Sequence, residues 1–126
     1  MNPILSPKIK RFFLLFFIGG ALYGLIEILW RGYTHPSMPV LGGLCFFWLD
    51  KLRRCPEPLC LRCIKGALLI TLAEGCAGLF LNRLLGLSVW DYSRMPGNIL
   101  GQICPFYSIC WYFLCYPAFW LLKKLE

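Results

Sequence analysis

The sequence predicts an all-α integral membrane protein: a bundle of four transmembrane helices forming one domain over residues 1–126, with both termini cytoplasmic. Three observations predict it. Of 126 residues, 59% are hydrophobic and only 15% charged, where a water-soluble domain carries about 25% charged residues. The apolar residues fall into four runs long enough, or nearly so, to approach the ~20 residues a membrane helix needs. The basic residues that give the chain its net charge of +7 lie between those runs in a pattern that fits a single orientation. High hydropathy (mean +0.64) excludes intrinsic disorder. It also argues against a nucleic-acid partner, which would call for a hydrated basic face.

The expected spans cover about residues 12–30, 37–50, 63–87 and 97–122. The first follows Lys8, Lys10 and Arg11. It could be taken for a signal peptide, but it lacks a small-residue cleavage site, and Glu27 stands where an uncharged region would be needed. The second is short, and Pro36, Pro39, Gly42 and Gly43 interrupt its first half, so a re-entrant segment is the competing reading. Charge favours a crossing: Lys51, Arg53, Arg54, Arg62 and Lys65 follow it, and basic flanks prefer the cytoplasm. The third carries Glu74 near its middle and Arg83 near its far end. A polar stretch from Ser88 to Pro96 leads into the fourth, which ends at Lys123 and Lys124. Only Arg31, Arg83 and Arg94 among the 13 basic residues are left on the outer side.

Helices in lipid associate through close packing and polar contacts, because lipid tails are as apolar as leucine. Gly20 and Gly24 form a GxxxG in the first span and Gly97 and Gly101 another in the fourth, while Thr71, Gly75 and Gly78 offer small residues in the third. Packing within the chain is favoured over a dimerisation face. Trp30, Tyr33, Trp48, Trp90, Tyr92 and Trp120 fall near the expected interfaces, where amphipathic rings anchor a helix.

Glu27, Glu74, Asn98 and Gln102 interrupt the apolar runs at membrane depth. Such groups are costly there and face a partner or a cavity. Four residues apart, Asn98 and Gln102 are expected on one helix face. Arg31 and Arg83 are the available counter-charges, and Trp90, Asp91 and Tyr92 would rim a recess open to the outside. The alternative is structural: the same groups would simply fasten helices together. For Glu27, with Arg31 four residues on, fastening is the favoured role.

Eight cysteines would suggest disulfides in a secreted chain. Here Cys45, Cys76, Cys104, Cys110 and Cys115 fall within spans. Cys55, Cys60 and Cys63 fall in the cytoplasmic loop, where thiols stay reduced. The loop has neither a fourth Cys nor a His, so neither a metal nor another cofactor is expected. His35 is a lone loop histidine. No nucleophile–base set is present, so an enzyme is not expected.

The stretch from Glu74 to Trp111 resembles a family of small bacterial membrane proteins described as putative ABC-transporter type IV. The resemblance rests on Thr71 to Glu74 (T-x-x-E), Trp90 to Ser93 (WDYS), Asn98 to Cys104 (N-x-x-G-x-I-C), and, more loosely, Glu27 to Arg31. It implies a multi-pass protein of the bacterial inner membrane and a permease-like, transport-associated membrane component. Glu27, Glu74, Asn98, Gln102, Arg83, Trp90, Asp91 and Tyr92 would then form the binding site. No phosphate-binding G-x-x-x-x-G-K-[ST] is present, so ATP-driven work would need a cytoplasmic ATPase subunit as partner, docked on the basic loop. Membrane lipids are the other expected partner, and a homo-oligomer is expected because four helices make a narrow path. The competing reading is a non-transporting accessory or lipid-interacting protein that scaffolds a larger complex.

Overall fold

A computed structural model describes residues 7–32 and 34–126; the interface role expected of Tyr33 lies outside the described residues. These residues form four α-helices and no strand, and the chain divides into two compact units, one ending at Trp48 and the other spanning Leu49–Glu126.

In the first unit, α1 (Pro7–Arg31) begins with proline, whose fixed φ and missing N–H suit a first helical position. It ends at Gly32, whose positive φ of 85° lets its N–H bond back to Ile28 O at 2.8 Å, an αL C-cap. α2 (Ser37–Arg53), whose residues from Leu49 on belong to the second unit, starts under His35, whose Nδ1 accepts from Ser37 N at 3.2 Å and lies 2.7 Å from Ser37 Oγ. The lone histidine is thus a helix cap. Pro39 sits in the first turn, where its missing N–H costs no helical bond.

Gly42 and Gly43 do not interrupt α2. They are its contact points with α1: Gly43 lies against the backbone carbonyl of Phe16, and Gly42 against Tyr23. Gly20 of the first GxxxG packs in the same way on the Pro39 carbonyl, and Phe12 meets Phe47 edge-on at 4.8 Å. The small residues therefore serve packing within the unit. At 17 residues, α2 is about 25 Å long at 1.5 Å per residue.

In the second unit, α3 (Leu59–Gly78) runs without a break into six residues of π-helix, Leu79–Leu84. Antiparallel to it lies α4 (Pro105–Lys124). Gly66 faces Cys115, and Gly75 faces Ile103. Thr71 Oγ1 and Ser108 Oγ share a hydrogen bond of 2.8 Å across the pair. Pro117 lies inside α4, where it removes one backbone bond.

The fourth helix starts at Pro105 rather than near Gly97. Hydropathy alone placed the boundary too early, for two backbone reasons. The residue before a proline is pushed out of the helical region, and Cys104 is extended at φ −132°, ψ 125°. Upstream, Gly97, Leu100 and Gly101 all have positive φ. Gly97 and Gly101 are therefore turn residues, not a helix-packing motif, and Asn98 and Gln102 do not share a helix face. Residues 85–104 instead fold into a non-helical cap over the ends of the π segment and α4.

At the opposite end of this unit, buried Asp50 accepts from Arg53 at 3.2 Å and from Arg54 at 3.2 Å. Arg53 also reaches Glu126 at 2.9 Å. Arg62 donates to the Arg53 carbonyl at 2.6 Å and to the Glu57 carbonyl at 3.0 Å, and Lys65 pairs with Glu57. Much of the basic loop is therefore engaged in holding its own fold. Among the described residues, no group of three or more His, Cys, Asp or Glu side chains is placed to hold a metal ion. Cys60 is exposed and Cys63 buried.

Two helices, Pro7–Arg31 and the continuous Leu59–Leu84, are long and apolar enough to cross a membrane. Only 28% of either apolar window is buried, whereas a helix this apolar in a soluble protein is buried on most sides. Large side chains such as Leu29 (78%) and Phe17 (66%) stand open on α1.

Candidate functional site: a polar cleft beneath the cap

The cap is built around Asn82, on the π segment. A π turn inserts an extra residue into the helical ladder, and such insertions are frequent at functional sites. Asn82 Oδ1 accepts from Val89 N at 2.6 Å and from Trp90 N at 3.4 Å. Its Nδ2 donates to Gln102 Oε1 at 2.7 Å. Gln102 then donates from Nε2 to Leu100 O at 3.0 Å, and its own carbonyl accepts from Trp90 Nε1 at 3.1 Å. Trp90 is only 4% exposed. The ring is a buried post of the cap rather than an interface anchor.

The two halves of the cap are joined by Tyr92 N donating to Gly101 O at 2.8 Å. Asn98 closes the loop between them. Its Nδ2 donates to Met95 O at 2.8 Å and Ser93 O at 3.2 Å, while Oδ1 accepts from Gly101 N at 3.0 Å. Gly101, at φ 73°, occupies a conformation where a side chain would be strained, and a Cβ there would lie 3.2 Å from Asp91 Oδ1. Ser88 (φ 51°) and Leu100 (φ 55°) are held in the same left-handed region without being glycine. Such backbone strain, of order 1–3 kcal/mol per residue, persists where surrounding structure over-determines it.

Beneath the cap lies a cleft of about 430 Å³, lined by residues that include Asn82, Arg83, Trp90, Asp91, Asn98 and Gln102. Five of the residues expected to form a site thus line one cavity: Arg83, Trp90, Asp91, Asn98 and Gln102. Tyr92 lies beside it, its ring stacked on Tyr107 at 5.1 Å. Glu74 lies one helical turn below Gly78, a position that abuts Gln102 and Trp90, and is outside the cleft. Buried on α3, it accepts from Trp111 Nε1 at 3.0 Å. Trp111 reaches it because side chains on a helix lean toward its N-terminus. Glu27 belongs to the first unit, where Arg31 pairs with it at 2.9 Å.

Asn82 was missed by sequence reasoning, although the rule that picked out Asn98 and Gln102, an amide inside an apolar run, applies equally to LFLNRLL. Asp50 was missed because it stands next to a basic cluster and reads as a solvated loop residue.

The carboxyl of Asp91 is held below the usual Asp range. The main cause is the Ser93 N–H, followed by the Ser93 hydroxyl, with smaller attractions from Arg94 and Arg83. The Ser93 N–H donates to Oδ1 at 2.9 Å. A folded-state value lowered in this way contributes stability that is present above about pH 3.9, the ordinary Asp value, and lost as pH falls through the lowered value. Trp90 fluorescence should therefore report loosening of the cap below that range. Asp91→Asn should remove this acid step while leaving the neutral-pH signal unchanged; an undiminished step in the variant would show that another group controls it.

Glu74 can act as a hydrogen-bond acceptor or as a charge, and two substitutions separate the roles. Glu74→Gln keeps an oxygen for the Trp111 indole, whereas Glu74→Leu leaves that donor without this acceptor. Interhelical bonds of this kind average about 0.6 kcal/mol and reach about 1.7. A fall in melting temperature is expected for Glu74→Leu only. If Glu74→Gln falls equally far, the charge matters.

The family model described as Putative ABC-transporter type IV matches residues 23–125, a range that takes in the cleft and most of both units. No curated protein and no solved structure matches the chain.

Proposed function

The chain belongs to the family described as Putative ABC-transporter type IV, and from that membership we propose that it is a four-span membrane component of a transport system. Both termini lie in the cytoplasm of this arrangement, and the cleft beneath the cap opens to the outside as a binding recess. The carrying observation is the cleft itself: Arg83, Asp91, Asn98 and Gln102 line one cavity with Trp90. The exposed apolar surfaces of α1 and α3 support immersion in lipid. The charge pattern supports four crossings. The start of α1, the end of α2, the start of α3 and the end of α4 all carry basic residues, and all four ends face the cytoplasm if each helix crosses.

The protein performs no catalysis in this reading and binds no cofactor. Its cytoplasmic ATPase partner docks on the loop from Lys51 to Lys65, and its transporting form is a homo-oligomer, since four helices alone enclose too narrow a path. One observation favours the accessory reading: the Asn82, Asn98 and Gln102 amides are all hydrogen-bonded inside the cap, as fasteners would be.

Two measurements test this. An impermeant thiol reagent should label Cys60, exposed in the first turn of α3, in inside-out but not right-side-out bacterial membrane vesicles, with Cys60→Ser as the control; the reverse pattern overturns the topology. ATPase activity should co-elute with the tagged protein from a mild detergent extract. A larger complex without ATPase activity would favour the scaffold.

A further inference from the structure

The polar groups lining the cleft fall into two classes. The amides of Asn82, Asn98 and Gln102 have both ends engaged within the cap. The charged groups do not. Arg83 gives one N–H of its guanidinium to Leu100 O at 3.2 Å and is otherwise exposed. Asp91 has its carboxylate on Ser93, in its own turn. Although these opposite charges line the same cleft, no ion pair joins them among the described residues. A guanidinium and a carboxylate held on one cavity without closing on each other suit a small molecule that carries both signs.

The apolar residues of the same segments add a second requirement. Leu100 (59% exposed) is itself a lining residue, and Leu84 (73%), Leu85, Leu87 and Ile99, close in sequence to lining residues, are exposed too. Exposed apolar clusters of this kind mark a membrane or ligand contact. A volume of about 430 Å³ is near the lower end for small-ligand sites, suited to a headgroup rather than a whole lipid.

We propose that the cleft binds a phosphate–ammonium zwitterion of the phosphoethanolamine type, with the phosphate on Arg83 and the primary ammonium on Asp91. Planar guanidinium matches phosphate oxygens bidentately, and a primary ammonium can donate to a carboxylate where a quaternary one cannot. The source is either phosphatidylethanolamine, its acyl chains lying on these exposed apolar side chains, or the free zwitterion. This assignment rests on the cleft being the protein's binding recess, as proposed above.

The test uses the full chain in detergent, with binding read by native mass spectrometry and by thermal shift. The probes are dioleoyl phosphatidylethanolamine, the phosphatidylglycerol and phosphatidylcholine with the same chains, and free O-phosphoethanolamine. Phosphatidylethanolamine should bind at least fivefold tighter than the other two lipids. Arg83→Gln and Asp91→Asn should each weaken it about tenfold, while Lys124→Gln, at the far end of α4, should not. Asp91→Asn should also erase the preference over phosphatidylcholine. Binding of O-phosphoethanolamine with similar affinity assigns the free zwitterion; binding of the lipid alone assigns the membrane source. Equal affinity for phosphatidylglycerol or phosphatidylcholine overturns the assignment, as does no binding of any probe. The lipid preference of the unaltered protein remains decisive should the variants fail to fold. The thiol-labelling result stands apart from all these outcomes, so failure of the ligand assignment is distinguishable from failure of the topology.

Discussion

Asn82→Ala should collapse the cap while leaving the helices formed. The side chain accepts from two backbone N–H groups, those of Val89 and Trp90, and donates to Gln102. Gln102 is itself buried. Removing one partner of a buried hydrogen bond costs the desolvation of the group left behind, about 1–3 kcal/mol each. Water entering through the open side of the cleft would satisfy some of these groups, so a net loss of about 2–4 kcal/mol is expected. The apparent melting temperature in detergent should fall, tryptophan emission should shift to the red as Trp90 is released, and trypsin should cut sooner at Arg94. Asn82→Asp should be milder. It retains an oxygen for the two backbone donors, and Gln102 can rotate its amide to offer Nε2. Parent-like melting and proteolysis of Asn82→Ala would mean that the cap is held elsewhere.

The same network shows how far the candidate site was legible in the sequence. The residue types were readable, because a polar side chain in an apolar run declares itself by its cost. The geometry that joins them was not. Asn98 and Gln102, four apart, read as one helical face, yet two positive-φ residues between them turn the backbone back on itself. What brings them to one cleft is a set of side-chain bonds to loop carbonyls, and these have no periodicity. The WDYS and N-x-x-G-x-I-C segments, separate in sequence, are the two halves of the cap, joined at Tyr92 and Gly101. Pro105 was the available signal for the helix boundary, since a proline restrains the residue before it, but continuous hydropathy masked it.

The helices themselves were more legible, with one instructive error. Prolines and glycines weaken a helix in water because they expose or remove backbone hydrogen bonds, and on that ground the first half of α2 looked interrupted. In the folded chain Pro39 sits where no bond is lost, and the paired glycines are turned toward α1. A glycine's value there is its missing side chain rather than its backbone freedom. Sequence alone cannot tell these uses apart, because the difference lies in what the facing helix presents.

That distinction predicts opposite outcomes for two glycine substitutions in the first unit. A Cβ at Gly43 would fall 2.4 Å from the Phe16 carbonyl oxygen, whereas one at Gly24 would meet only the Pro39 ring at 3.5 Å, an ordinary contact. The carbonyl cannot move without α1, so Gly43→Val must separate the two helices. Separation weakens the contacts of Phe46 with Gly19 and of Phe12 with Phe47. Packing is the main force joining helices in lipid, and overpacking a well-packed contact costs about 1–3 kcal/mol, occasionally more. A loss of about 3 kcal/mol is expected for Gly43→Val. Gly24→Ala instead replaces a glycine inside a helix without a clash and should gain about 0.5–1 kcal/mol. Far-UV circular dichroism should be unchanged in both, because each helix keeps its own backbone bonds, while the apparent melting temperatures should move in opposite directions. If Gly24→Ala falls as far as Gly43→Val, glycine itself is required at both positions and the close-approach argument fails. If neither moves, α1 and α2 are not held together at these glycines.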